Sequence, residues 1–463
     1  MTVFPYDFVV MPCDRAGNLI KSIRVGVAAC ITMAGLVSGI FVGVGAQTTT
    51  PTSNPTVAVS PTPTEYVAVA LDFIEARAYK RSTVDWPAIR RRAEQLGALA
   101  PSIADTYPVI IDVVKALSDK HSSFTRPPEA VRQTAGRYNG FGFLAVWPSR
   151  QVVNVAEGSP AAQAGLVIGD RIEKVDGRSP KASAGVITII RDANGQFPPK
   201  LTLTWTRMGI KKPITKTLKV GEVTLVSVPK AAPIPGANGQ SLGRIGYLEI
   251  PGIVGDDAAQ KTYATQVQAA MRDLETAQSR CGWVVDLRRN RGGYTYAMLA
   301  GLGPLLNGGQ TPASLGGQRS ATGQEYLWHY ADGTLLVNET KTVSVDAPFV
   351  PPRSDVPVAI LTSQLTASAA EATAIAFRGR SATRSFGEAT DGLTTFNERK
   401  NMPDGAFLDI MSAVDIDRTG VGYEGPVPPD QVIAPDWTNV GNEKDPILTA
   451  ASTWLSAQPG CVE

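Results

Sequence analysis

The sequence predicts an α/β protein, with a core of helices around a largely parallel sheet, a small mostly-β domain before it, and a helical subdomain at the front. Three observations carry this reading. From Arg244 onward, apolar runs of strand length alternate with segments of helical period, the pattern of strands joined by crossover helices. From about Gly136 the chain instead shows short alternating runs such as "GFGFLAVWP" and "KLTLTWTRM", which read as strands half buried on one face. Residues 65 to about 117 carry apolar residues three and four apart, the period of amphipathic helices.

Taken in order, the chain opens with Arg15, Lys21 and Arg24 ahead of an uncharged run from Val25 to Ala46. That run is long enough to span a bilayer and ends in the small residues that suit signal-peptidase cleavage. Residues 1–46 therefore read as a cleaved signal peptide or an uncleaved membrane anchor, and the sequence does not choose between them. Residues 47–64 are a Thr/Pro-rich linker that has nothing to pack with. Both readings place the body outside the cytoplasm: secreted, periplasmic or at the cell surface. There Cys281 and Cys461, the cysteines of the exported body, meet an oxidising compartment. They form either a disulfide that pins the C-terminal tail or two separate thiols.

Residues 65–130 form the helical subdomain, ending in the polar loop "SDKHSSFTRPP". Residues 131–229 form the mostly-β domain, in which "SPAAQAGLVIGD" is a short helix and a glycine turn. After a Pro/Gly linker, residues 243–440 form the α/β core, and 441–463 are a tail. With 463 residues, two or three domains are expected. The balance of 44 basic against 42 acidic side chains shows no nucleic-acid footprint. Four cysteines without a CxxC pair, and only two histidines, argue against structural zinc. No cofactor is expected, and a homo-oligomer is left open.

Active sites of such sheets lie at strand-to-helix turns, and two turns stand out. In "PVAILTSQLTASAAEATAIAF" Ser368 sits where a strand becomes a helix. A serine there is commonly an N-cap. It is also placed to act as a nucleophile, because the helix start offers the Ala369 N–H and a favourable dipole to a developing oxyanion. In "DLRRNRGG" the pair Gly292 and Gly293 frees backbone N–H groups to face a ligand. The candidate bases are His121, His329 and a lysine, but no lysine lies between Ser368 and Arg399.

The ordered set "GWVVDLRRNRGG", "VAILTSQLTASAAEATAIAF", "SFGEAT" and "GYEGPVPPDQVI" resembles the catalytic core of the C-terminal processing (tail-specific) serine peptidases and their tricorn-core relatives. "VNVAEGSPAAQAGLVIGDRIEKVDG" resembles the PDZ domain these proteins carry upstream. The likeness covers roughly residues 108 to 440 and implies a crotonase/ClpP-like core. It implies Ser368 as nucleophile, with Ala369 and the Gly292–Gly293 pair as the oxyanion hole. The lysine of the tail-specific branch falls on Leu393, so a Ser–Lys dyad is absent. The other branch uses Ser–His–Glu, which puts His121 as base and Glu424 as the carboxylate that orients it. Ser122 is a minor candidate for orienting the ring, and Glu371 is expected to support the helix start. Phe141, Gly142 and Phe143 match the PDZ loop that receives a peptide carboxylate, with the peptide adding as a strand. The implied function is an exported serine endopeptidase acting on proteins through C-terminal or unstructured segments. The competing reading is a non-catalytic peptide- or ligand-binding protein on the same scaffold.

Overall fold

The computed structural model describes residues 60–183, 186–188, 197–225, 228–234, 242–308, 312–353 and 355–462. The expected signal or anchor of residues 1–46, and nearly all of the linker after it, lie outside the described residues. Among the described residues, no helix is long and apolar enough to cross a membrane.

The sheet that positions the site has six strands, in the order Lys230–Pro233, Ile245–Glu249, Gly282–Asp286, Val358–Thr362, Thr383–Gly387 and Gln431–Val432. The first pair is antiparallel and the remaining four are parallel. Successive side chains point to opposite faces of a strand, and both faces here are covered. Val358 and Ile360 pack with Trp283 and Val285 against the helices Asp257–Ala277, Thr295–Leu306 and Ala369–Ala376. Ala359 and Leu361 pack with Val284 and Phe386 against the C-terminal helix Pro446–Ser456. Two-sided burial explains why these strands read as unbroken apolar runs. On the same face as the C-terminal helix, Cys281 and Cys461 form a disulfide across 180 residues of sequence.

The expectation of a largely parallel core needs correction. A second sheet of eight strands is antiparallel throughout, so antiparallel pairing predominates overall. It comprises the hairpins of residues 313–344 and, at its centre, the long strand Phe407–Ile416, flanked by Ser123–Thr125 and Thr395–Asn401. One of its turns, Asp332–Gly333, has both residues at positive φ, the signature of a type I′ hairpin.

The helices Pro63–Arg77, Trp86–Leu99 and Ile103–Ala116 do not stand apart from this sheet. Tyr66, Leu71, Ile74 and Ile110 share a buried cluster with Met402, Leu408 and Ile410. Asp404 accepts hydrogen bonds from Tyr66 at 2.8 Å and Tyr107 at 2.5 Å. The first helix begins at a capping box, in which the Thr62 N–H donates to the Glu65 carboxylate at 2.8 Å.

In the mostly-β domain, Lys200–Thr206 pairs with Arg171–Val175 and Ile214–Lys219. Its inward residues Leu201, Leu203 and Trp205 close a core with Phe141, Ala161 and Ile172. This domain leans on loops of the α/β core through Val146 and Val153, which pack with Leu365 and Trp437. Leu365 lies only three residues before Ser368.

Candidate active site

Two turns at the carboxyl ends of adjacent parallel strands meet face to face. The turn after Val358–Thr362 is fastened to the neighbouring turn by side chains that satisfy its backbone. Ser363 Oγ donates to Arg288 O at 2.6 Å, and Thr366 Oγ1 donates to Leu287 O at 2.9 Å. The Ala367 N–H donates to Asn290 O at 3.1 Å. Beneath them the Arg288 guanidinium, fully buried, binds Asp286 and Asp445. Removing one partner of such a buried set strands the others' charge, a cost of about 3–5 kcal/mol.

Ser368 sits at φ 55° and ψ −122°. A residue with a Cβ held there costs about 1–3 kcal/mol and persists only where its surroundings impose it. The imposition is visible. The Ser368 N–H donates to the Glu371 carboxylate at 2.8 Å, and the Glu371 N–H donates to the Ser368 carbonyl at 2.7 Å. The helix is thus held through the serine's backbone. The Ala369 N–H lies in the first turn, where no intrahelical acceptor exists.

The glycine pair closes against this elbow. A Cβ on Gly292 would lie 2.9 Å from both Ala367 O and Ser368 Cβ and 3.2 Å from Ala369 N. A Cβ on Gly293 would lie 1.9 Å from Ile253 O. Both residues hold positive φ, 102° and 125°, so neither position admits a side chain. The two are not equivalent as oxyanion donors: the Gly292 N–H already donates to Asn290 Oδ1 at 2.8 Å. Buried Asn290 also donates to Ile250 O at 2.9 Å, which fixes the turn. Of the expected oxyanion set, Gly292 therefore serves as close packing.

Glu371 does more than support the helix start. Fully buried, it accepts from Ser368 N, from Thr390 Oγ1 at 2.5 Å, and from Gly392 N and Leu393 N at 2.7 Å each. Burial raises its pKa, opposed by these hydrogen bonds. Nearby Asp415, also buried, is pushed up to about 8 by burial first and by the Glu371 charge second. Asp415 thus keeps its proton at neutral pH beside Glu371.

The clamp leads to the histidine. Two residues beyond Leu393, Thr395 Oγ1 lies 2.6 Å from His121 Nδ1, and two residues span at most about 7 Å. The Asn397 amide donates to His121 O at 2.9 Å. Burial pushes the imidazole down to about 3, so it is neutral at ordinary pH. Asp119 accepts from His121 N, Ser122 N and Ser122 Oγ, and the Met411 N–H donates to Ser122 Oγ. Ser122 therefore shapes the loop rather than orienting the ring.

Glu424 is exposed and accepts from the Tyr79 hydroxyl at 3.3 Å, and its neighbours Tyr423 and Gly425 are tied through their backbones to Thr394, the residue before Thr395. Among the described residues, no hydrogen bond joins His121 to Glu424 or to Ser368. His329 lies on the Glu325–Ala331 strand of the hairpins, paired with Ser314 and Leu336. Sequence reasoning missed Thr395, Asn290 and the reach of Glu371. Only the Glu371 spacing, three residues after Ser368, offered a signal.

A cavity of about 1170 Å³ runs from the mostly-β domain to this site. Gly142, Phe143 and Leu144 line one end, and Gly292, Gly293 and Tyr294 the other. Phe141 is not among its lining residues; it is buried and packs edge-on to Phe197 at 5.8 Å.

The structure thus brings together a buried serine on a strained strand-to-helix elbow, a glycine turn, and a histidine held by the strand that follows the Glu371 clamp. Residues 244–433 match the model of peptidase family S41 and residues 151–203 match a PDZ domain. The carboxy-terminal-processing protease of Bartonella bacilliformis is 27% identical over 206 residues, 43% of this chain and 44% of that protein. The nisin-resistance protein of Lactococcus lactis subsp. lactis is 29% identical over 184 residues, 40% of this chain and 54% of that protein. The chain thus spans about half the length of these curated relatives. In fold it is similar to the photosystem II D1 C-terminal processing protease, with a TM-score of 0.54 at 19% identity, over 83% of this chain and 98% of that one.

Proposed function

We propose that this chain is an exported serine endopeptidase with Ser368 as nucleophile and His121 as base, acting on polypeptides recognised through C-terminal or unstructured segments. The observation that carries the reading is the unbroken path from the Ser368 N–H through Glu371 to the Leu393 N–H, and on to the Thr395–His121 contact. Ser368 Oγ attacks the scissile carbonyl carbon while His121 Nε2 takes the hydroxyl proton. The N–H groups of Ala369 and Gly293 hold the oxyanion, in a water-poor site where such donors are strongest. The tetrahedral adduct collapses as His121 returns the proton to the leaving amine. Water, activated by the same nitrogen, then releases the acyl group from Ser368. The His121–Ser368 contact is one that serine hydrolases often complete only with substrate bound.

In this reading the polypeptide enters along the cavity, its end near Gly142 and Phe143 of the PDZ domain and its scissile bond near Gly293. A crotonase/ClpP-like kinship of the six-stranded sheet belongs to the same proposal. So does export, with residues 25–46 as signal or anchor and the Cys281–Cys461 bridge suited to an oxidising compartment. The test is labelling by a fluorophosphonate probe together with cleavage of an unfolded polypeptide. Both are expected in the full chain and lost in Ser368→Ala and in His121→Ala. Polypeptide binding with neither labelling nor cleavage would make it a binding protein instead.

A further inference from the structure

We infer that Thr395, a neutral hydroxyl, is the positioning residue for His121, standing where a serine-peptidase triad carries a carboxylate, and that Glu371 sets its register against Ser368. The inference rests on the proposed peptidase reading and deepens it.

Among the described residues, the ring's polar partner is Thr395 Oγ1, 2.6 Å from Nδ1. Three carboxylates of the surrounding elements have other partners. Asp119 holds the backbone of its own turn, and Glu424 accepts from Tyr79. Glu398, the neighbour of Asn397, faces Arg77 at 3.4 Å. Thr395 and Asn397 lie two apart on the strand Thr395–Asn401, with a register shift between Phe396 and Asn397, and both reach the same histidine. The first takes the ring nitrogen and the second donates to the carbonyl of the same histidine. That two-point grip fixes the imidazole's place and plane.

Its chemical sense follows from the donor rules. In the neutral ring one nitrogen carries hydrogen and the other a lone pair. When Nδ1–H donates to Thr395 Oγ1, Nε2 keeps its lone pair and can take the Ser368 proton. The strand bearing Thr395 begins just after the loop that Glu371 anchors through Gly392 N and Leu393 N, and Glu371 also anchors Ser368 N. One buried carboxylate therefore registers the base's support against the nucleophile. A hydroxyl, unlike a carboxylate, gives the imidazolium no counter-charge. Together with the ring's burial, this moves the acid limb of activity well below the ordinary imidazole range.

The experiment compares the full chain with Thr395→Val and Thr395→Ser by steady-state cleavage of a peptide substrate from pH 4 to 8. Alongside, ¹⁵N NMR reads the His121 tautomer in a Ser368→Ala background, assigned against His329→Gln. Expected are an Nδ1–H tautomer and a kcat lower by about 10- to 100-fold in Thr395→Val with KM little changed. Thr395→Ser should recover to within a few-fold of the unaltered chain. A Thr395→Val variant with unaltered kcat and tautomer overturns the inference, as does an Nε2–H tautomer in the unaltered chain. If Thr395→Val fails to fold, the tautomer in Thr395→Ser and in the unaltered chain still decides. If Ser368→Ala retains cleavage, the peptidase reading fails, while the tautomer result independently tests the role of Thr395.

Discussion

The neutral, half-buried imidazole makes the fold sensitive to acid in a way that can be worked out. In the unfolded chain His121 titrates near 6.5; in the folded chain burial holds it unprotonated down to about 3. Between those values the unfolded state binds a proton that the folded state refuses, so stability falls as the pH is lowered. The contribution is fully present above about pH 6.5 and drains away toward pH 3. Between pH 7.5 and 4.5 the loss is 0.59 × ln[(1 + 10^2.0)/(1 + 10^−1.5)], or about 2.7 kcal/mol. The comparison is His121→Gln, which keeps a hydrogen-bonding group near Thr395 and cannot titrate. Urea unfolding followed by tryptophan fluorescence, with Ser368→Ala in both proteins to prevent self-digestion, gives the stability at each pH. The chain with His121 should lose about 2.7 kcal/mol more over that interval than the glutamine variant. Equal losses in the two proteins, or a His121 NMR resonance that titrates near 6.5, would refute the reasoning.

Other outcomes follow from the same site and core. Asp415→Asn is expected to raise stability at pH 7.5 and to leave it nearly unchanged at pH 4, because the raised carboxyl pKa costs stability only as the unfolded aspartate ionises; denaturant midpoints at the two pH values check it. Opening the Cys281–Cys461 bridge frees 180 residues from closure and should cost about 5 kcal/mol in the chain-entropy account, read as a fall in urea midpoint on reduction or in the paired serine variant. Gly293→Ala places a methyl 1.9 Å from Ile253 O at a φ that penalises any side chain by about 1–3 kcal/mol. Its probe labelling should vanish and its melting temperature drop. Glu371→Gln exchanges one acceptor oxygen for a donor facing N–H groups, so both stability and labelling should fall, the former by about 3 kcal/mol.

The parallel strands were legible because two-sided burial writes itself as apolar runs between helical segments, as in Val358–Thr362 and Gly282–Asp286. The antiparallel hairpins were harder to see, since residues such as Glu325 and Lys341 face solvent and break the runs. Asp332–Gly333 was their plain marker. At the site, Ser368 and the glycine pair stood out because backbone demands select residue types. His121 stood out by the rarity of histidine and by likeness to a known arrangement. Thr395 was illegible: a threonine in a strand is ordinary, and only the fold brings it to a ring 274 positions away. Glu424 stood out only through a matching string, and its partner in the fold, Tyr79, was not legible from the sequence.

The shared cluster of Tyr66, Ile74 and Ile110 with Leu408 and Ile410 has a consequence for timing. His121 lies on the loop after those helices, and Ser368 lies far along the chain from it. Until the front helices dock on the Phe407–Ile416 strand, the Thr395–His121 contact has no scaffold. If Ser368 and His121 act as the proposed pair, a partly made chain lacks that pair and is inert toward its neighbours and toward itself.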